Sequence, residues 1–211
     1  TNILFISVTG FVISYLAGRA FLKEDSFQLL ILGAGTLSLA LASISAGPLV
    51  HFPQGSNANV TVFNLGLLVT GILYHVGSIG TVNIPIPTKT FSFNKQAVLT
   101  SCYILVTSTI GVITFLTFQG AFPTFFRQGS GPTMIRQLIL GITIAIFTAT
   151  TFFQLTKYYL TKLNFFYWYS LGLGAISLGL ISLLFPSHVG SPLSWMGRSS
   201  QYLGVIYFIP A

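Results

Sequence analysis

The chain has 211 residues, of which 53% are hydrophobic and 5% are charged, and its formal net charge at pH 7 is +7. A soluble domain carries about 25% charged residues, so this composition excludes a fold whose whole surface faces water. The nine Lys and Arg residues lie scattered between apolar stretches, which excludes the clustered basic face of a nucleic-acid-binding protein. We therefore expect an integral membrane protein whose main partner is the lipid bilayer.

The chain divides into long apolar stretches joined by short polar segments. A hydrocarbon core of about 30 Å requires roughly 20 helical residues. The apolar residues are too continuous for the strands of a membrane barrel, which alternate with a period of two. We therefore predict an all-α fold, a polytopic membrane protein built as a bundle of seven transmembrane helices, in which residues 1–211 are one domain of a longer chain. The predicted spans are residues 3–22, 27–50, 60–82, 97–118, 138–156, 165–185 and 197–211, the last of them short.

The distribution of Lys and Arg over the connecting loops predicts the orientation of the spans. Loops that carry more Lys and Arg are retained in the cytoplasm. One set of loops contains Arg19, Lys23, Lys89, Lys95, Lys157 and Lys162. The other set contains Arg127, Arg136 and Arg198. We therefore predict a multi-pass protein of the cell membrane with its N-terminus outside and its C-terminus in the cytoplasm.

The second span carries small residues at helical spacing, namely Ala34, Ser38, Ala42 and Ala46. Small side chains allow two helices to approach closely inside a membrane. We expect this face to pack against a neighbouring helix.

The third span is the most polar of the predicted spans. Asn64, Leu68, Gly71 and His75 follow one another at intervals of four, three and four residues, which places them on one face of a helix. A polar group in lipid is costly and faces the interior of a bundle. Two interpretations stay open: Asn64 and His75 form hydrogen bonds to neighbouring helices, or they bind a ligand, a proton or a metal ion.

A glycine-rich turn precedes the fifth span, within the sequence FRQGSGPTMIRQ at residues 126–137. Gly129 and Gly131 allow the backbone to approach a partner closely, and Thr133 is a predicted N-cap of the following helix. The N–H groups at the start of that helix favour an anion. Together with the guanidinium groups of Arg127 and Arg136, these residues form a predicted outer lip. The alternative is that the arginines of this region extend to lipid phosphates.

A second pair of polar residues opens the last span. Arg198 and Gln201 are three residues apart and share a helical face. We predict that they point into the same outer pocket as Arg136 and Gln137. The candidate ligand-binding residues are therefore Asn64, His75, Arg136, Gln137, Arg198 and Gln201.

Several activities find no support in the sequence. A Schiff base to retinal requires a lysine within a span, and every lysine is predicted to lie in or beside a loop. An ion-coupled carrier usually requires a buried acid, whereas the two acids, Glu24 and Asp25, are adjacent in a predicted loop. No HExxH sequence and no nucleophile–base pair is evident. We expect no catalytic residue and no metal site in this domain, and the sequence indicates no cofactor.

Parts of the chain resemble the MASE-type sensor modules, the multi-span N-terminal regions of prokaryotic PAS, histidine kinase and diguanylate cyclase proteins. The matching parts are NVT at 59–61 with NLG at 64–66 and His75, GSGPT at 129–133 with IRQ at 135–137, and GSPLSWMGRSSQYLG at 190–204. The resemblance implies a non-catalytic sensory input domain that detects a small or lipophilic stimulus. It also implies that the last helix transmits the signal to a cytoplasmic output domain, in the first place a histidine kinase. It also implies a homodimer, because histidine kinases act as pairs. The alternative is a small self-contained transporter or channel, in which Asn64 and His75 line a water-filled path.

Overall fold

The computed structural model describes residues 3–52, 55–79, 94–127, 131–185 and 192–211, and nearly all of them are helical. A π-helical segment, Ile3–Val8, leads directly into the first α-helix. The α-helices are α1 (Thr9–Glu24), α2 (Phe27–Leu49), α3 (Gly55–Ile79), α4 (Lys95–Phe118), α5 (Met134–Thr161), α6 (Asn164–Leu184) and α7 (Pro192–Ile206). Each predicted span overlaps a helix, and α3, α5 and α7 begin four or five residues earlier than predicted. The last helix ends five residues before the predicted end of the seventh span, and residues 80–82 of the predicted third span lie outside the described residues.

Within the described residues, six helices are long and apolar enough to cross a membrane. The first of them, Phe5–Glu24, includes the end of the π-helical segment. The seventh helix, α7, has 15 residues, which at 1.5 Å per residue cover about 22 Å. That is less than the roughly 30 Å of a hydrocarbon core. The prediction of a helical multi-pass membrane protein is confirmed, and the helix lengths account for six spans.

A short β-hairpin between α4 and α5 departs from the all-α prediction. Its strands β1 (Phe126–Arg127) and β2 (Gly131–Pro132) are antiparallel, and Arg127 lies opposite Gly131. Gly131 has a φ of +84°, a conformation that glycine adopts at little cost. The hairpin ends at Thr133, whose Oγ1 accepts a hydrogen bond from the N–H of Arg136 at 3.4 Å. The predicted N-cap of α5 is therefore confirmed.

Two of the turns between helices depend on a residue in the left-handed conformation. Asp25, between α1 and α2, has a φ of 59°, and Lys162, between α5 and α6, has a φ of 58°. The N–H of Asp25 donates to the carbonyl of Phe21 at 2.9 Å, and that of Lys162 donates to the carbonyl of Tyr158 at 2.8 Å. Each bond ends one helix and reverses the chain, so α1 and α5 pack antiparallel to the helices that follow them.

The second helix, α2, lies at the centre of one side of the bundle. Every residue from 29 to 40 is buried, and α2 contacts α1, α3 and α4. The small residues predicted for close packing, Ala34, Ser38, Ala42 and Ala46, are all buried. A Cβ added to Gly66 of α3 would overlap Ala42, so this face packs as predicted. By contrast α4 is peripheral, and Val106 and Ile110 are its buried residues.

The other side of the bundle consists of α5, α6 and α7, with α3 packed against α5. The contact between α6 and α7 is made by glycines. A Cβ on Gly204 would lie 2.7 Å from the carbonyl oxygen of Gly172, and a Cβ on Gly197 would lie 3.0 Å from that of Gly179. Because these residues have no side chains, the two backbones touch.

Consecutive helices alternate in direction, which gives the bundle two ends. At one end, Asn57 near the start of α3 contacts the β-hairpin before α5; we call this the hairpin end. At the other end, Lys95 at the start of α4 pairs with Asp25; we call this the turn end, and the turn at Lys162 belongs to it as well. Polar side chains that enter the bundle are found near both ends.

Candidate functional site

Polar side chains line the contact between α3 and α5, two helices that run parallel to each other. His75 and Ser78 project from α3, and Thr150, Gln154 and Lys157 project from α5, and hydrogen bonds join the two groups. The α5 residues recur at intervals of four and three, the spacing of one helical face. We call these five residues the polar seam. It extends from the middle of the bundle toward the turn end.

One hydrogen bond of the polar seam joins His75 to α5. Its Nδ1 lies 3.0 Å from Oγ1 of Thr150. That hydroxyl already donates its proton to the carbonyl of Ile146 at 2.7 Å, so it accepts from His75. In this contact Nδ1 is therefore the donor, and an imidazole with one proton on Nδ1 has Nε2 as an acceptor. His75 is half-buried, and its ring meets that of Phe153 at a centroid distance of 5.7 Å.

The other residues of the predicted polar face are also placed by the structure. A Cβ on Gly71 would lie 3.0 Å from the ring of Phe147 in α5, so Gly71 and His75 face the same neighbouring helix. Asn64 is buried, but its Nδ2 donates to the carbonyl of Val60 in its own helix at 2.8 Å. Of the two predicted polar residues, His75 connects two helices, whereas the amide of Asn64 satisfies a local carbonyl.

Lys157 lies within a helix, contrary to its predicted place in a loop. It belongs to α5, is 7% exposed, and its Nζ donates to the carbonyl of Ser78 at 2.6 Å. That carbonyl stands at the C-terminal end of α3, where backbone acceptors lack helical partners and a positive charge is favourable. The ammonium group also lies 5.9 Å from the ring centre of Phe166. The prediction failed because α5 continues for five residues past the predicted end of its span.

Gln154 connects the lysine to the rest of the polar seam. Its Nε2 donates to Oγ of Ser78 at 2.8 Å, and that hydroxyl donates to the carbonyl of Tyr74 at 2.9 Å. The Oε1 of Gln154 is buried without a hydrogen-bond partner among the described residues. Sequence reasoning missed Thr150 and Gln154, although their spacing from Lys157 marks a single polar stripe on an otherwise apolar helix.

The turn end also buries an acid. Asp25 is in a turn, as predicted, but it is only 3% exposed. Its Oδ2 lies 3.5 Å from Nζ of Lys95. The sequence-based argument against an ion-coupled carrier assumed that both acids face water, and for Asp25 this assumption is wrong. The left-handed turn positions Asp25 against α4, a tertiary contact that the apolar pattern does not reveal.

The hairpin end contains most of the predicted outer lip. Oδ1 of Asn57 accepts hydrogen bonds from the N–H groups of Phe125 at 2.8 Å and Phe126 at 3.0 Å, which fixes the hairpin to α3. An open cleft of about 590 Å³ lies beside it and is lined by Pro123, Thr124, Arg127, Gly131, Pro132, Thr133, Met134 and Ile135. The predicted residues Arg127, Gly131 and Thr133 therefore share one cleft. Gly129 lies outside the described residues.

The remaining predicted residues are dispersed. Arg136 is half-buried and Gln137 is exposed, both in the first turn of α5, and neither lines the cleft. Arg198 is half-buried in α7, and Gln201 is buried against Gly179 of α6. Within the described ranges, no hydrogen bond or ion pair joins the α5 pair to the α7 pair. The joint outer pocket therefore has no direct contact to support it.

An aromatic cluster occupies the core beside the polar seam. Tyr74 of α3 meets Phe147, Tyr169 and Phe208 at ring-centroid distances of 6.0, 5.7 and 5.7 Å. Phe208 follows α7 and also meets Tyr169, at 5.4 Å. Tyr74 directly precedes His75 in the chain, so one helix turn faces both the aromatic core and the polar seam. The sequence offered no sign of this cluster, because buried aromatics resemble lipid-facing ones in an apolar stretch.

No group of three or more His, Cys, Asp or Glu residues in the described part of the chain is arranged to hold a metal ion.

Comparisons with known proteins assign neither a family nor a function to this chain. No protein family, no curated protein and no solved structure matches the chain.

Proposed function

We propose that this chain is the membrane-embedded sensory input domain of a signal-transduction protein, in which α7 carries the signal to a cytoplasmic output domain of the same chain. A histidine kinase is the output domain that we propose, in a homodimer, because these kinases act as pairs. The input domain itself catalyses no reaction. In this proposal α7 and the residues after it complete a seventh span.

One observation carries the proposal: the ring of Phe208, just beyond α7, is packed into the centre of the bundle. It meets Tyr74 at 5.7 Å and Tyr169 at 5.4 Å and is 2% exposed. Any rearrangement of α3 against α6 changes the space that this ring occupies. A side chain at this position therefore links the state of the core to the segment that leaves the last helix.

The polar seam supplies an element that a stimulus can rearrange. One hydrogen bond joins His75 to Thr150, and Lys157 donates a hydrogen bond to the carbonyl of Ser78 at the end of α3. Such bonds contribute about 0.6 kcal/mol on average in membranes. A ligand that binds one arrangement of α3 and α5 slightly more tightly than another therefore shifts the equilibrium between them. Tyr74 lies next to His75, and the close contact of α6 with α7 provides the route onward.

The proposed orientation places the hairpin end outside and the turn end in the cytoplasm. Among the described residues, the turn end carries Arg19, Lys23, Lys95, Lys157 and Lys162, and the hairpin end carries Arg127, Arg136 and Arg198. Positively charged loops favour the cytoplasmic side. With seven spans, the N-terminus is then outside and the segment after α7 is in the cytoplasm, where a kinase has access to ATP.

The test uses the protein encoded by the complete reading frame, reconstituted in lipid nanodiscs. ATP-dependent autophosphorylation is measured for the wild type, for Phe208→Ala and for Ile209→Ala, whose side chain is 53% exposed in the wild type. We expect Phe208→Ala to change the rate of autophosphorylation by about threefold or more, because the variant lacks the ring that links the core to the segment after α7. We expect Ile209→Ala to match the wild type. Equal rates in all three proteins, or a reading frame without an output domain, would refute the proposal.

A self-contained transporter is a second candidate, favoured by the buried ionisable residues Asp25 and Lys157. Such residues in membrane proteins commonly mark ion or proton pathways. Proteoliposomes that contain the chain alone would then show a flux of ions that stops in Asp25→Asn. A sensor domain shows no such flux above that of protein-free liposomes.

A further inference from the structure

Two tyrosine hydroxyls in the centre of the bundle lack a hydrogen-bond partner in the part of the chain that the structure describes. Tyr74 is 0% exposed and Tyr169 is 2% exposed, and neither hydroxyl is paired within the described residues. Burying an unpaired hydroxyl is unfavourable, and the two rings are in edge contact at 5.7 Å. The core therefore holds two adjacent tyrosines whose hydroxyls have no partner among the described residues.

Another tyrosine shows that the fold can satisfy such a group. Tyr103 of α4 inserts its hydroxyl between α1 and α2, where it donates to the carbonyl of Ser14 at 2.6 Å. Gly18 and Gly33 make room for it, since a Cβ on either would meet the Tyr103 oxygen. Among the described tyrosines, the two whose buried hydroxyls lack a partner both belong to the central aromatic cluster.

The ring of Phe208 occupies the space beside these two hydroxyl-bearing rings. It also lies on Gly172 of α6, where an added Cβ would overlap it. The segment that carries it has left the helix, and the N–H of Phe208 donates to the carbonyl of Val205 at 3.1 Å. Withdrawal of this one ring would open a space the size of a phenyl group beside the rings of Tyr74 and Tyr169.

We propose that Tyr74 and Tyr169 form a binding site for a small, uncharged, apolar molecule with a carbonyl oxygen, and that this molecule takes the place of the Phe208 ring. The two phenols donate to the carbonyl, and Phe147 and Gly172 lie against the apolar part. A charged ligand is disfavoured, because the aromatic cluster offers it no opposite charge.

Binding at this site and the packed position of Phe208 exclude each other. The ligand therefore favours the arrangement in which the segment after α7 has left the core. This coupling rests on the proposed function, whereas the binding site stands on the unpaired hydroxyls alone. Wild-type protein is expected to bind more weakly than a variant without the ring, because displacement of Phe208 opposes binding.

The test compares two probes of similar shape, acetophenone and ethylbenzene, of which only the first has a carbonyl. Dissociation constants are measured for the full chain in lipid nanodiscs, and empty nanodiscs correct for partition into lipid. In Phe208→Ala we expect acetophenone to bind on the order of tenfold more tightly than ethylbenzene, as expected for two neutral hydrogen bonds. With Tyr74→Phe and Tyr169→Phe added, the preference disappears; with Tyr103→Phe added instead, it remains.

Equal binding of the two probes to Phe208→Ala would overturn the proposal, and so would a preference that survives both tyrosine changes. If Phe208→Ala does not fold, Phe208→Leu opens a smaller space and serves for the same comparison. The difference in affinity between the two probes does not depend on signalling. If Phe208→Ala prefers the carbonyl probe but its autophosphorylation is unaltered, the binding site stands and the sensory role is refuted. If its autophosphorylation is altered but it shows no preference for the carbonyl probe, the binding site alone is refuted.

Discussion

The ring of Tyr74 lies directly on the backbone of Gly35, so that a Cβ on this glycine would overlap Cε1, Cδ1 and Cζ of the ring. Both residues are fully within the bundle, Gly35 on α2 and Tyr74 on α3. The glycine thus sets the position of the ring at the centre of the aromatic cluster. Its neighbour in the chain, His75, is consequently held in contact with α5.

Gly35→Ala is expected to destabilise the protein by about 1–3 kcal/mol, because the new methyl group forces the Tyr74 ring and its neighbours out of place. The free energy of unfolding in mixed detergent micelles measures this effect. Gly111→Ala on α4 is the matched control, since, apart from the backbone of its own helix, no described residue lies within 4 Å of a Cβ at that position. Equal stability of the two variants would show that the Gly35 contact is not tight.

Thr150→Val is expected to cost about 0.5–1.5 kcal/mol of unfolding free energy, the range of hydrogen bonds between helices in membranes. The substitution keeps the shape of the side chain but removes the acceptor for Nδ1 of His75. The proton on Nδ1 then has no partner in this contact, and the two-dimensional NMR signal of the His75 ring is expected to shift.

Thr109→Val provides the control for this change. Among the described residues, the Thr109 hydroxyl donates to the carbonyl of Leu105 in its own helix and to no other helix. Its replacement is therefore expected to leave both stability and the His75 signal unaltered. An unchanged His75 signal in Thr150→Val would contradict the proposed tautomer and the α3–α5 hydrogen bond.

Asn57→Ala is expected to free the β-hairpin at the hairpin end. The wild-type amide oxygen accepts from two adjacent N–H groups, those of Phe125 and Phe126. Loss of this acceptor leaves both groups to water, and their amide hydrogen exchange should become at least about tenfold faster. Asn59→Ala is the control, because that side chain donates to Ala46 in α2 instead. Equal exchange rates in the two variants would mean that Asn57 does not hold the hairpin.

Much of the architecture could be predicted from the sequence, because lipid imposes a strong pattern on it. Apolar stretches located each helix, and the small residues of the second span located its packing face. The C-terminal end of α5 was less accessible. The predicted cap at Thr133 indicated the start of the helix, but its end depends on the left-handed residue Lys162, which does not change the hydropathy of the chain.

The candidate site was predicted only in part, for a related reason. His75 was recognisable as a polar residue at helical spacing from Gly71. Its partner Thr150 and the buried Lys157 were not, because their roles follow from the parallel packing of α3 on α5. The glycines of α6 and α7 illustrate the same point. Their packing role is evident only from the structure, in which Gly172 faces Gly204 and Gly179 faces Gly197.

The most direct test of the account determines on which side of the membrane three positions lie. Cys102, the one cysteine in the sequence, is first replaced by alanine, and Arg127→Cys, Lys162→Cys and Ala211→Cys are then made singly. Intact cells are treated with a membrane-impermeant maleimide. We expect labelling of the protein with cysteine at position 127 alone, and labelling at positions 162 and 211 only after the membrane is permeabilised. Labelling at positions 127 and 211 together in intact cells would place the segment after α7 outside the cell and contradict a sensory domain with a cytoplasmic output.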